Sequence, residues 1–174
     1  SVERSNYKSS LGVQRTSAVN SIMNWKPGSP ALFIVSWPEA LEEPVPDRSR
    51  ISGAVLNLRK GEEISRDKIV EVLAAQNFTK TDLVSAPGQF AVRGSIIDIF
   101  SFSDSNPFRI SFFGDEVENI NVFDCNTQLS REVRDEASIF PDIIAGDNAD
   151  GGVPVSGILP QDTVVWLDSS DMYR

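Results

Sequence analysis

The sequence predicts an α+β fold: an antiparallel β-meander with one packed helix, inserted into an α/β domain that is only partly present. Three observations carry that prediction. Eight of the ten phenylalanines fall within residues 78–123, among β-branched residues and short turn-forming connections. Aromatic and β-branched residues favour strands, and short connections demand antiparallel neighbours. Ser65 to Gln76 carries the apolar spacing of one helix. Two unbroken apolar runs, Ala31 to Val35 and Val164 to Leu167 (the latter in a strand read from Thr163), flank the rest, and unbroken runs mark parallel strands buried on both faces.

Taken in order, residues 1–30 are polar and mixed, with an amphipathic stretch from Ala18 to Trp25 that Pro27-Gly28 ends. Ala31 to Val35 reads as a buried strand. Ser36 to Leu41 reads as a short helix, with Pro38 in its first turn and Ser36 or Trp37 as its cap. Glu43 to Arg50 holds Pro44, Pro46 and several charges, which is linker chemistry. Ala54 to Leu58 is a strand and Lys60 to Glu63 a turn. Ser65 then caps a helix whose stripe is Ile69, Val70, Val72 and Leu73; Asp67 suits its dipole, and Asn77 ends it. Leu83-Val84 is a short strand and Pro87-Gly88 a turn. Phe90 to Phe102 reads as one long strand with a bulge or bend at Gly94. Ser103 to Pro107 is a hairpin loop, Phe108 to Phe113 the return strand, Gly114-Asp115 a tight turn, and Val117 to Phe123 the third strand. Asp142 to Pro154 reads as a flexible linker rich in glycine and aspartate. The boundaries predicted are residues 1–50 for the first α/β part, 51–140 for the inserted domain, and 141–174 for the linker and the return to the α/β domain.

Composition narrows the function. The 174 residues suit one or two domains. No apolar run approaches the roughly 20 residues of a membrane span, and no signal-peptide pattern opens the chain. One cysteine, Cys125, forms no internal disulfide, so a reducing, cytoplasmic setting is expected. There is no histidine, which removes Ser-His and Cys-His nucleophiles and histidine-bound metals. The net charge is −9; a general grip on nucleic acid needs clustered Lys and Arg instead. No phosphate-cradling glycine loop occurs. Neither a cofactor nor catalysis is therefore expected of this chain itself.

The candidate chemistry lies in the meander. Asp98 sits in an apolar strand and needs a partner if buried, and Arg109 on the return strand is the obvious one. Asp115 and Glu116 follow Gly114 in a turn, where acids are routine. A hydrolase using Asp98 with Asp115 or Glu116 remains the alternative from another class, and it requires a cleft with carboxyls about 5 to 9.5 Å apart. Cys125 lacks a neighbouring cation and reads as an inert thiol. Trp25, Trp37 and Trp166 read as core. Arg93 is even between a solvated side chain and an interface anchor. Strand alternation sets it opposite Phe90 and Val92, on a face with Gln89, Ala91, Ser95 and Ile97. Truncating it there should change stability by no more than about 0.5 kcal/mol.

Two segments carry a family resemblance: Pro87-Gly88-Gln89-Phe90-Ala91-Val92-Arg93-Gly94-Ser95-Ile96-Ile97-Asp98-Ile99-Phe100 and Asn106-Pro107-Phe108-Arg109-Ile110-Ser111-Phe112-Phe113-Gly114-Asp115-Glu116-Val117. They resemble the module shared by bacterial transcription-repair coupling factors and excinuclease protein B of nucleotide excision repair. Phe123-Asp124-Cys125-Asn126-Thr127-Gln128-Leu129-Ser130, Ala31 to Leu41, Ile158 to Pro160 and Val164 to Asp168 resemble the coupling factor in particular. So does Ala91, where excinuclease protein B typically has arginine. The resemblance implies a module inserted in a helicase-like domain that docks onto excinuclease protein A, the damage-recognition ATPase. It implies Arg93 as the interface arginine, with Lys80 near a second basic position. ATP, Mg²⁺, RNA polymerase and DNA would engage other parts of a full-length protein.

Overall fold

The structure, a computed structural model, describes residues 2–142 and 152–166, with side chains from Gly12 onward. Its helices are α1 (Val2–Asn24), α2 (Pro38–Glu42), α3 (Arg48–Ala54) and α4 (Arg66–Ala75). Its strands are β1 (Pro44–Val45), β2 (Leu56–Arg59), β3 (Thr79–Lys80), β4 (Gln89–Arg93), β5 (Ile96–Ile99), β6 (Phe108–Phe113), β7 (Glu116–Phe123), β8 (Ser130–Arg134), β9 (Glu136–Ile139) and β10 (Val153–Pro154). A 3₁₀ turn, Val155–Ile158, follows β10.

A six-stranded sheet in the order β3-β4-β5-β6-β7-β8 dominates. From β4 to β8 it is an antiparallel meander, and β3 adds a short parallel edge. The expected long strand is two strands. Arg93 pairs with Ile96 across the two-residue loop Gly94-Ser95. Gly94 has φ +58°, which glycine adopts without steric cost and which a two-residue hairpin requires at its first loop position. The apolar set that faces the core changes phase across this turn, from Phe90 and Val92 to Ile97 and Ile99, and Arg93-Gly94-Ser95 marks the break. Leu83-Val84 forms no strand; Val84 is buried and Leu83 exposed. The parallel edge lies earlier, at Thr79–Lys80.

One face of the sheet is packed. Ile97, Ile99, Ile110 and Ile120 are fully buried with Ile69 and Leu73 of α4. The helix forms as its stripe predicts. Ser65 is its N-cap without a side-chain cap bond, and Asn77 leaves it at φ 61°. β2 pairs antiparallel with β9, placing Leu58, Ala137 and Ile139 in the same core. Gly88 is required by contact: its φ is +78°, and a Cβ there would lie 2.4 Å from the Phe102 ring.

The segment read as a linker over residues 43–50 is ordered. Asp47 caps α3 by accepting a hydrogen bond from the Arg50 N–H at 2.9 Å. Val45 on β1 pairs with Val153 on β10. Val45, Ile51, Phe140 and Ile158 close a second core with Val19 and Ile22 of α1. Pro44 on β1 faces Pro154 on β10, which suits a two-stranded ribbon because it is all edge. Residues 143–151 of the other expected linker lie outside the described residues.

The flanking apolar runs are corrected. Ala31 to Val35 forms no strand and lies open, with Phe33 89% and Val35 100% exposed. Residues 163–166 are likewise exposed and not strand; Leu167 lies outside the described residues. No described strand pairs with either run, and an unpaired strand leaves its backbone groups to water. Trp37 and Trp166 are exposed for the same reason, and Trp25 is half-buried. α2 forms as expected on Pro38, with Trp37 at its N-cap and no side-chain cap bond.

Candidate protein-docking face

The second face of the sheet carries the candidate chemistry. Register sets Ala91 opposite Asp98, Asp98 opposite Arg109, and Arg109 opposite Asn121. Asp98 is 1% exposed. A buried carboxylate costs several kcal/mol unless paired, about the scale that makes partners obligatory. Arg109 meets that demand with a two-pronged grip: Nε donates to Oδ1 at 2.7 Å and Nη2 to Oδ2 at 2.9 Å. Arg93 Nη2 donates to the same Oδ2. The small Ala91 lies directly across from Asp98, and Arg93 is the diagonal neighbour, within reach of a long side chain.

Arg109 is itself held. Its Nη2 donates to Gln128 Oε1 at 3.0 Å, and its Cζ lies 4.2 Å from the Phe123 ring centroid. The hydrogen-bonded Asp98 carboxylate pushes the Arg109 guanidinium above its ordinary range, with burial pulling the other way. Two guanidiniums on one carboxylate leave one net positive charge. That charge reaches solvent through Arg93, whose side chain is 42% exposed against 19% for Arg109. The bond to Asp98 also corrects the expectation that Arg93 is energetically free of the fold.

The predicted face is only partly assembled. Arg93 and Ser95 are exposed at the hairpin tip. Ala91 is buried in a small cluster with Val84 and Phe100. Ile97 is fully buried on the opposite, packed face, because the turn at Gly94-Ser95 reverses the alternation that joined it to Arg93. Gln89 is turned to its own loop: its Oε1 accepts from Ser85 N at 2.9 Å, Ser85 Oγ at 3.1 Å and Ala86 N at 3.1 Å. Lys80 is exposed, but register pairs it with Phe90 of the packed face, so it stands on the other side of the sheet from Arg93.

The alternative carboxylate pair is not brought together. Asp98 pairs with Arg109, whereas Glu116 pairs with Phe113, four residues further along β6. At about 3.3 Å per residue that is about 13 Å, beyond a glycosidase pair. Asp115 and Glu116 are exposed at the turn. Cys125 packs against the small cluster of Val84, Ala91 and Phe100.

Residue-by-residue reasoning missed the support of Arg109. Gln128 sits in a loop at φ 61°, and no periodicity marks it. Exposed apolar side chains on this face were also missed. Phe113, next after the buried Phe112 on β6, is 79% exposed, and Val133, paired with Asn121, is 66% exposed. Alternation on β6 was the available signal for Phe113.

An anchored, half-exposed arginine on a sheet face that also exposes Phe113 and Val133 suits a protein-interaction module, since arginine and aromatic groups are enriched at such interfaces. Residues 56–143 match the family described as the UvrB interaction domain, and the chain belongs to that family. The transcription-repair-coupling factor of Bacillus subtilis is 30% identical over 131 residues, 75% of this chain and 11% of the relative. The UvrABC system protein B of Streptococcus suis is 38% identical over 91 residues, 52% of this chain and 14% of the relative. The transcription-repair-coupling factor of Escherichia coli is 31% identical over 93 residues, 53% of this chain and 8% of the relative. The chain thus spans a small fraction of the length of these curated relatives. No helix among the described residues is long and apolar enough to cross a membrane.

Proposed function

We propose that this chain is the excinuclease-docking module of a transcription-repair coupling factor. Its sheet face, centred on Arg93, binds excinuclease protein A and recruits it to stalled RNA polymerase in nucleotide excision repair in the cytoplasm. The observation that carries this reading is the Arg93 side chain, half-exposed with its guanidinium paired on buried Asp98. An arginine in that state offers its remaining donors to a carboxylate of the partner. The module takes no catalytic part. ATP, Mg²⁺, polymerase and DNA belong to other parts of such a protein.

The coupling factor is preferred to excinuclease protein B, the second reading, by the extent of likeness. The match to the Bacillus subtilis coupling factor runs over 131 residues, against 91 for the Streptococcus suis UvrABC system protein B. Insertion into a helicase-like α/β domain is supported by β1 and β10. Their pairing brings Val45 and Val153 together, so the chain leaves and returns at one place.

Calorimetry against excinuclease protein A tests the proposal. Arg93→Ala should weaken binding by about 2 kcal/mol, the scale of a partly desolvated interface arginine. Arg93→Glu should be worse if the facing surface is acidic. Wild-type affinity in a folded Arg93→Ala protein would remove Arg93 from the interface.

A further inference from the structure

We infer that Asp98 is a positioning residue for docking: its buried carboxylate holds the Arg93 guanidinium in the orientation the partner meets. The inference rests on the reading of Arg93 as the docking group. An arginine at an exposed hairpin tip samples many rotamers, and a partner that needs one of them sees its affinity reduced by the competent fraction. Here the fraction is raised from beneath. Asp98 lies on a central strand of the six-stranded sheet and is 1% exposed. Its two oxygens are fixed by the Arg109 fork at 2.7 and 2.9 Å. Arg109 is fixed in turn by Gln128 at 3.0 Å and by the Phe123 ring. What Arg93 meets is therefore an immobile acceptor.

Stability alone does not account for the arrangement. One guanidinium already balances the carboxylate. A buried ion pair contributes little net stability relative to apolar packing, and Ile97 and Ile99 beside Asp98 are fully buried apolar residues. The side chain that carries the second guanidinium stays 42% exposed. It gives part of its hydrogen-bonding capacity to Asp98 and presents the rest outward.

The sign of one substitution separates positioning from bulk electrostatics. Asp98→Asn removes a negative charge and leaves the face more positive, so on charge alone an acidic partner would bind more tightly. Positioning predicts the reverse: affinity for excinuclease protein A, by calorimetry on the full chain, falls about tenfold, the cost of ordering one long side chain. Nitrogen-15 NMR of the free protein should show hindered rotation of the Arg93 guanidinium, lost in Asp98→Asn. In an Arg93→Gln background, Asp98→Asn should have no further effect on binding. An Asp98→Asn protein that binds as well as wild type or better, while Arg93→Gln binds weakly, overturns this inference and leaves the docking reading intact. An equal loss with and without Arg93 overturns it in favour of a purely structural Asp98. If Arg93→Gln binds like wild type, both fail. Should Asp98→Asn not fold, Gln128→Ala decides: positioning predicts weaker binding and faster Arg93 rotation, and no change in either overturns it.

Discussion

Ala31 to Val35 holds five apolar residues and no charge, yet Phe33 and Val35 lie in solvent. Ile96–Ile99 holds a carboxylate, yet Ile97, Asp98 and Ile99 are all buried. The difference is in the neighbours. Ile96–Ile99 has a strand on either side and α4 beneath it, so its backbone groups are paired and its apolar face is covered. Ala31 to Val35 has no paired strand among the described residues. Hydrophobicity supplies the drive for burial, but paired backbone and an opposing layer are what permit it.

The sharpest way to break this contrast is limited proteolysis. Cleavage should begin within residues 26–36, about a thousandfold faster than within 89–123, because local opening of an unpaired segment costs almost nothing whereas a central strand opens only with global unfolding. Early cuts between Phe90 and Phe123 would reverse the assignment. Next in size is Ile97→Ala against Phe33→Ala. The first should lose about 2–5 kcal/mol in urea denaturation, as core truncations do, and the second under about 0.5 kcal/mol as a surface change. Similar losses would mean that Ala31 to Val35 is covered in solution. Arg109→Ala should follow, lowering stability by about 2 kcal/mol, less than for a wholly buried pair because Arg93 still serves Asp98. The smallest effect is that of Arg93→Ala on stability, about 1 kcal/mol or below, since its side chain is half in water. A melting temperature for Arg93→Ala as low as that of Arg109→Ala would make Arg93 a structural group.

Much of the module was legible from local pattern. The α4 stripe, the turn at Gly114-Asp115 and the strands around it follow from periodicity and turn chemistry. The Asp98–Arg109 pair follows from one buried charge facing one opposite charge on the next strand. The rest turns on one overlooked local signal and on geometry that no local pattern carries. The hairpin at Gly94-Ser95 shifts the apolar phase from Phe90 and Val92 to Ile97 and Ile99, and reading residues 90–102 as one strand ignores that shift, so it sets Ile97 on the wrong face. β8 is exposed at every residue and carries alternating charges, so it has no apolar signal. The β2–β9 and β1–β10 pairings join segments far apart in sequence. The flanking strands failed for the opposite reason: their signal is strong, but it reports a sheet that the described residues do not build.

The edges of the large sheet bear on how a partner is recognised. β3 is two residues long, and β8 carries Arg131, Glu132 and Arg134 with a register shift at its pairing with β7. Short, charged or bulged edges resist the addition of another strand. Among the described residues the ladder left open on the β3 side is short: β3 covers Gln89 and Phe90, and of β4 only the end at Ala91 to Arg93 has a free edge. On the docking reading proposed above, recognition would then rest mainly on side chains, and partner choice on a handful of positions that substitution can retune while the sheet beneath them stays the same.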